Sequence, residues 1–369
     1  MPTYINNIAT AVPKQSHTQD FLREQMKKYV AKREVSEKII HRIYTKSGID
    51  KRHTVINDFQ ANGDPRLFFQ QSGSLSAPST GKRNEHYTRE AKTLFTEAAR
   101  KSIEQNPEVG ISDITHVITV SCTGFFAPEP AFEIIKELKL DPSTERYHLG
   151  FMGCFAAFPA MKMARSFCEA QPDATVLVAC LELCTLHLQN SEIPDQLISA
   201  SVFADGAAGM IISSRPPARK GYRIDRLATA IAEDTEQEMA WTIGDTGFDM
   251  VLSSYVPDLI KTNLKEATRS LFENHKINRD EIDYWAVHPG GRAILDKIQH
   301  NFDLHDDQLG ASREVLANYG NMSSATILFV LAELLKHSKP NNEASVLSMA
   351  FGPGLTIESA LLTRMNNGT

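Results

Sequence analysis

No run of about 18 consecutive apolar residues occurs in this 369-residue chain, so the sequence offers no candidate membrane span. The first residues, Met1-Pro2-Thr3-Tyr4-Ile5-Asn6-Asn7, lack the basic-then-apolar order of a secretion signal, and a cytoplasmic protein is the expectation. Cysteine is scarce. The five present, Cys122, Cys154, Cys168, Cys180 and Cys184, are an odd and sparse set, which excludes a disulfide framework and reads as reduced thiols. Cys180 and Cys184 are four apart, but no second Cys/His pair completes a zinc site, so no metal is expected. Excess positive charge is missing too. A net charge of −6 argues against nucleic acid as a partner, and an anionic ligand would need a local basic patch. What the chain does have is 42% hydrophobic residues, enough for one large or two smaller cores.

Strand-like and helix-like stretches alternate. Val117-Ile118-Thr119-Val120, Ala174-Thr175-Val176-Leu177-Val178-Ala179, Met210-Ile211-Ile212 and Val346-Leu347-Ser348-Met349 read as buried strands. Apolar periodicity predicts helices over 89–105, 131–138, 154–169, 259–274, 292–300 and 323–336. Mixed order of this kind points to α/β layering. The chain also repeats itself. A helix from Arg89 and a strand ending at Ser121 match a helix from Lys265 and a strand ending at His288. Gly153-Cys154 and Gly320-Asn321 each open an apolar helix, and Ala174-Thr175-Val176-Leu177 matches Ala344-Ser345-Val346-Leu347. The offset stays near about 167 positions, as expected for two halves with small insertions. The halves are expected at 1–215, carrying Cys154, and 216–369, carrying His288 and Asn321, with Arg215-Pro216-Pro217 as the break. Residues 1–55 and 58–86 are expected outside the repeat. The first holds a strand at Tyr4–Ile8 and helices from an N-cap at Thr18; the second is a long surface loop rich in Gly, Ser and Pro.

Three short segments hold side chains suited to thioester chemistry. Cys154 lies in Gly153-Cys154-Phe155-Ala156-Ala157, at an expected helix start, where free N–H groups and the dipole would lower a thiol pKa. The other reading is a buried structural cysteine. His288 precedes Pro289-Gly290-Gly291 at the end of a strand, the edge where α/β sites form, and is either a proton acceptor or a structural histidine. Asn321, in Tyr319-Gly320-Asn321-Met322-Ser323-Ser324, is either a helix cap or a neutral donor to an oxyanion. If the two halves face each other, Cys154 and Asn321 fall at equivalent helix starts, and His288 ends the strand before its own half's helix.

Gly-Cys-Phe-Ala, His-Pro-Gly-Gly, Tyr-Gly-Asn-Met-Ser-Ser and Phe351-Gly352-Pro353-Gly354-Leu355-Thr356-Ile357-Glu358 together resemble the type III polyketide synthases, the chalcone synthase superfamily, over nearly the whole chain. The resemblance implies a thiolase fold of α/β class, a duplicated five-layer α/β/α/β/α architecture. It implies a homodimer that adds malonyl-CoA units to an acyl-CoA starter, with no bound organic cofactor or metal. It also implies Cys154 as the acyl-carrying nucleophile and His288 with Asn321 as the decarboxylation and condensation pair. Phe203 resembles one gatekeeper, while the second falls at Met250, with Phe248 close by, a departure from plant members. Arg42, Lys46 and Ala293 match contacts to CoA, and Arg42 and Lys46 lie in a basic patch with Arg33, Lys51 and Arg52. Cys122, Thr123, Cys184, His187 and Ser323 match cavity-wall positions. Ser121-Cys122-Thr123-Gly124-Phe125 is similar to bacterial members making alkylpyrones, alkylresorcinols or phloroglucinol, so a fatty acyl starter is expected. The alternative is a small aromatic made from malonyl units alone. A ketoacyl-acyl-carrier-protein synthase of the initiation type also uses Cys, His and Asn, but the Gly-Phe-Gly-Pro-Gly-Leu stretch disfavours it. A degradative thiolase needs a second cysteine near the C-terminus, and none follows Cys184.

Overall fold

The computed structural model describes residues 1–60, 66–252, 256–260, 262–263, 279–336 and 343–366. Most of the helix expected over 259–274, including the repeat element at Lys265, lies outside the described residues. The strands are β1 (Tyr4–Ala11), β2 (Gln15–Thr18), β3 (Lys51–Thr54), β4 (His116–Ser121), β5 (Glu145–Gly150), β6 (Thr175–Leu183), β7 (Asp205–Ser213), β8 (Lys220–Ile231), β9 (Met239–Gly244), β10 (Gly247–Leu252), β11 (Tyr284–Val287), β12 (Glu343–Gly352) and β13 (Thr356–Asn366). The α-helices are α1 (Gln19–Val30), α2 (Glu34–Thr45), α3 (Thr80–Glu104), α4 (Pro130–Leu138), α5 (Ala157–Ala170), α6 (Pro194–Val202), α7 (Arg292–Phe302), α8 (Gly310–Tyr319) and α9 (Thr326–Lys336).

One nine-stranded sheet runs β5-β4-β6-β7-β1-β8-β13-β12-β11. Strands β4, β6 and β7 are buried along their full length, which is why they read as unbroken apolar runs rather than alternating ones. The pairings repeat across the sheet. β4 and β6 are parallel, β6 and β7 antiparallel, β7 and β1 antiparallel. In the other half β11 and β12 are parallel, β12 and β13 antiparallel, β13 and β8 antiparallel. β1 and β8 join the halves through Tyr4↔Arg223 and Ile5↔Tyr222. β1 is therefore the counterpart of β8 and belongs to the repeat, contrary to its expected place outside it. The residues around β1 carry no local sign of this, because its partner strands lie about two hundred positions away in sequence.

The helices α5 and α9 start at the equivalent positions 157 and 326. Each packs on strands of both halves: α5 on β4, β6, β7 and β13, and α9 on β11, β12, β1 and β7. The central core, with Phe158, Met161, Ile327 and Leu331, comes from this double packing. Among the described residues, the segment 58–86 is only in part the expected surface loop: 71–74 are exposed, but Asp58 and residues 67–69 are buried and Thr80 opens α3. The Asp58 carboxylate is fully buried and accepts from the backbone N–H of Leu67 at 2.7 Å, Phe68 at 2.6 Å and Phe69 at 2.8 Å. Phe68 and Phe69 enter the core beneath α3, which begins at Thr80 with Ser79 as its cap. The Gly, Ser and Pro content of the segment hid a buried anchor.

Candidate active site

Cys154 lies in the turn between β5 and α5, three residues ahead of the helix rather than at its cap. Gly153 has φ 95°, and a Cβ there would come within 2.4 Å of Pro353 Cδ. A Cβ on Gly352 would likewise meet the Phe155 ring at 2.4 Å. The Gly352-Pro353-Gly354 turn between β12 and β13 thus packs directly on the nucleophile turn, and both glycines are needed for that close approach. The Gly153 N–H donates to Cys122 Sγ at 2.9 Å. Burial pushes the Cys154 thiol up to about 12, outweighing the lowering effect of the Ser323 and Asn321 side chains in hydrogen-bond reach of Sγ. Cys154 is partly buried, and desolvation of its sulfur opposes the lowering expected from the helix dipole.

His288 follows β11 and is 1% exposed. Its backbone N–H donates to Met349 O at 2.8 Å, and its carbonyl accepts from Gly290 N at 3.0 Å, which fixes the turn. Both ring nitrogens are buried and have no partner among the described residues. Burial pushes the imidazole down to about 3. Thiolate and imidazolium are each disfavoured alone in this dry site. Proton transfer from thiol to imidazole creates the two charges together, so their attraction offsets the shared desolvation cost.

Asn321 both shapes its own turn and donates toward the cavity, while Met322 occupies the cap position. Its Oδ1 accepts from Ser323 N at 2.8 Å at the start of the 3-10 turn Ser323–Ala325 that leads into α9. That bond orients the amide, so Nδ2 donates to Gly290 O at 3.2 Å beside His288, in the wall of the cavity that Cys154 also lines. The backbone is fixed by Asn321 N to Val202 O and Ala204 N to Asn321 O, both 2.8 Å, which tie the segment to Phe203.

Cys154, His288 and Asn321 line one cavity of about 40 Å³, with Cys122, Thr123 and Ser323 also in its wall. At roughly 10–15 Å³ per water this is a small space. A second cavity, about 90 Å³, adjoins it, and Cys184, Phe203, Trp241 and Met250 line both. Leu22, Met26, Ile56, Phe59 and Phe69 make the second cavity largely apolar. Met250 therefore stands at the junction, while Phe248 lines the second cavity alone. His187 also lines only the second cavity, and it is fully committed. Phe248 N–H donates to Nδ1 at 3.0 Å, so the proton on Nε2 goes to Thr123 O at 2.8 Å. The ring stacks on Phe248 at 4.1 Å, and burial pushes its pKa down to about 3.

The residue sequence reasoning missed is Glu182. It is fully buried at the end of β6 and accepts from Cys122 N at 2.9 Å, Thr123 Oγ1 at 2.8 Å and Ser324 Oγ at 2.5 Å. Burial raises its pKa to about 7, opposed by those hydrogen bonds. The signal was present: a single carboxylate inside an otherwise apolar strand. Trp241, by contrast, gave none; it reaches the site only because its Nε1 donates to Cys122 O at 3.0 Å across from β9.

Arg42, Lys46 and Ala293 line neither cavity and are exposed. They nevertheless share a rim. The place of a Cβ on Gly48, just after α2, is 3.4 Å from Arg292 Cβ at the start of α7, and Ile294, two residues further on, lines the catalytic cavity. Neither Arg42 nor Lys46 has an ion-pair partner among the described residues.

Among the described residues no group of three His, Cys, Asp or Glu side chains is arranged to hold a metal ion, and no helix is long and apolar enough to cross a membrane. Comparison with known proteins gives a consistent answer. The N-terminal domain of chalcone and stilbene synthases matches residues 2–216, and their C-terminal domain matches residues 225–366. PKS-I from the brown alga Ectocarpus siliculosus is 29% identical, with a TM-score of 0.91 over 99% of this chain and 98% of its own. The C-terminal type III polyketide synthase domain of Steely1, a type I/III hybrid from Dictyostelium, is 26% identical, with a TM-score of 0.89 over 100% of both chains. The chain belongs to the chalcone and stilbene synthase family of type III polyketide synthases, has their thiolase fold, and is a decarboxylating, condensing acyltransferase.

Proposed function

We propose that this enzyme extends a fatty acyl-CoA starter with malonyl-CoA through a thioester on Cys154 and releases an alkylpyrone or alkylresorcinol. The observation that carries this reading is the pair of joined cavities: a small one holding Cys154, His288 and Asn321, and a larger apolar one behind Phe203 and Met250. Cys154 gives its proton to His288 and attacks the starter carbonyl. The C–S bond to CoA breaks, and CoA leaves as the thiol with that proton. The acyl chain extends into the second cavity. Malonyl-CoA then binds with its thioester oxygen toward His288 and Asn321. Its carboxylate carbon leaves as carbon dioxide, and the bonding pair becomes an enolate that both groups stabilise. One such donor is worth roughly 3–4 kcal/mol. The enolate carbon attacks the Cys154 thioester and expels the thiolate, giving a chain two carbons longer on CoA. Return to Cys154 starts the next round, and the finished poly-β-keto chain cyclises.

Arg42 and Lys46 contact the CoA phosphates at the rim, beside Ala293. Phe203 and Met250 divide the thioester site from the chain cavity; Cys122, Thr123 and Ser323 wall the thioester site, His187 walls the chain cavity, and Cys184 lies between them. The steps need no organic cofactor or metal, so chelator-dialysed enzyme keeps its activity. The enzyme acts as a cytoplasmic homodimer.

Mass spectrometry of products from malonyl-CoA with a panel of acyl-CoAs tests the reading. Long-chain starters are expected to give products carrying their alkyl tail. Products built from malonyl carbons alone, with fatty acyl-CoAs ignored, would replace it with synthesis of a small aromatic. Cys154→Ala abolishes acyl-enzyme formation; full polyketide yield from that variant would end the account. Asn321→Ala keeps some loading but cuts carbon dioxide release from malonyl-CoA by roughly 10²–10³-fold.

A further inference from the structure

Of the five cations expected together in the rim patch, Arg52 alone turns inward. It is 5% exposed, whereas Arg33, Arg42, Lys46 and Lys51 are exposed. Its guanidinium meets the end of α6, where a helix runs out of partners for its own carbonyls. The four carbonyls at that end each accept from outside the helix. Tyr44 O–H donates to Ala200 O at 3.1 Å, Gln19 Nε2 to Ser201 O at 2.7 Å, Asn321 N to Val202 O at 2.8 Å, and Arg52 Nη1 to Phe203 O. Arg52 Nε also donates to Gln19 Oε1 at 3.0 Å, so one planar fork serves two members of this cap. A cation suits the negative end of a helix.

Two groups of the thioester site hang on that cap. Phe203 ends it and stands at the junction of the two cavities. Asn321 is bound to it on both sides of Phe203, by Asn321 N to Val202 O and Ala204 N to Asn321 O, both 2.8 Å. The residue ahead of Asn321 packs against Arg52 itself. A Cβ on Gly320 would lie 2.9 Å from Arg52 Cγ and Cδ, and Gly320 has a φ of 71°. Arg52 thus holds the Asn321 segment in two ways, through the Phe203 carbonyl and through the Gly320 turn, while lying outside the wall of the catalytic cavity.

Resting on the roles given above to Phe203 and Asn321, we propose that Arg52 is a positioning residue for decarboxylation. It sets the place of the Asn321 amide relative to the enolate that forms beside it. A misplacement of about 1 Å in such a group costs up to about 10²-fold in rate.

Carbon dioxide release from malonyl-CoA by wild type, Arg52→Lys, Asn321→Ala and the double variant tests this. Lysine keeps the charge, but its one nitrogen cannot reproduce the fork between Gln19 Oε1 and Phe203 O. Arg52→Lys is expected to lower kcat for release at least about tenfold, with KM for malonyl-CoA within about twofold of wild type. The double variant is expected to be no slower than Asn321→Ala alone, because both changes remove the same contact. A merely structural role makes the two losses multiply. Tyr44→Phe deletes one hydroxyl from the same cap, with about threefold slower release expected, and supplies the same cycle if Arg52→Lys does not fold. Acyl loading on Cys154, read by intact-protein mass spectrometry, identifies the folded variants. The proposal is overturned if these release carbon dioxide at the wild-type rate, or if their losses multiply with that of Asn321→Ala. Unchanged release by Asn321→Ala itself removes the underlying reading and this proposal together; slow release by Asn321→Ala with either overturning result removes only the role of Arg52.

Discussion

At the scale of single residues, Glu182 adds its charge to the desolvation that already raises the Cys154 thiol. Its pKa is raised to about 7 in the folded chain from an ordinary 4.5. A raised carboxyl pKa means the stability it allows is fully present below the ordinary value and is lost as pH rises through 7. Glu182→Gln removes the charge, and the amide oxygen still accepts from Cys122 N and Thr123 Oγ1. The variant is expected to exceed wild type by about 2–3 kcal/mol at pH 8, with the advantage shrinking toward pH 5. Urea unfolding at the two pH values checks this, and an equal difference at both would refute the raised pKa. The Glu182 charge also raises the Cys154 pKa, so alkylation of Cys154 by iodoacetamide is expected to be faster in the variant. Asn321 illustrates a second point at this scale. Its segment left cap and donor as alternatives; the cap position falls to Met322, and Asn321 Oδ1 instead closes a two-residue turn onto Ser323 N that orients Nδ2 toward Gly290 O.

Among the elements, the turn that carries Cys154 is held by a turn from the other half. Gly153→Ala places a methyl where Pro353 Cδ is 2.4 Å away, at a φ of 95° that L-residues rarely adopt. The backbone term alone is about 1–2 kcal/mol, and relief of the clash moves the β12–β13 turn as well. The expected result is a lower midpoint in thermal unfolding together with at least about tenfold slower acyl loading, since a shift of 1 Å at the reacting atom is costly. A variant that loads at the wild-type rate would show that the packing of the two turns does not set the sulfur position. The Phe-Gly-Pro-Gly stretch served in the sequence only as a family mark; the fold gives it this physical task. The β9–β10 hairpin supplies Trp241 and Met250 to the cavity walls through Trp241 Nε1 and the His187–Phe248 contact, neither of which the local sequence announces.

Across the whole molecule, burial sets the response to acid. Seven described histidines, His17, His53, His86, His116, His148, His187 and His288, have pKa values lowered chiefly by desolvation. Two buried carboxylates, Glu182 and Asp205, are shifted up and act in the opposite sense. A lowered imidazole pKa means the unfolded chain takes up protons first. The stability is fully present above the ordinary 6.5 and is lost as pH falls toward about 3, the value for His187 and His288. Over pH 7 to 5 His187 and His288 are opposed by Glu182 and Asp205. The five other imidazoles, all lowered, tip the balance, and denaturant unfolding free energy is expected to fall. A flat or rising profile over that range would contradict the buried neutral imidazoles.

The sequence alone determined the duplicated α/β order, the segments holding Cys154, His288 and Asn321, and the family, because each is written in short-range patterns: apolar periodicity, glycine-permitted turns and four ordered motifs. It also left two matters wrong: the place of β1 and the buried anchor at Asp58. Only the tertiary structure decided these, together with Glu182, Trp241 and the second cavity. Desolvation and enclosure depend on which distant segments close over a group. A thiol at a glycine turn reads as activated from its neighbours in the chain, and meets a desolvation that opposes its ionisation once the opposite half packs upon it.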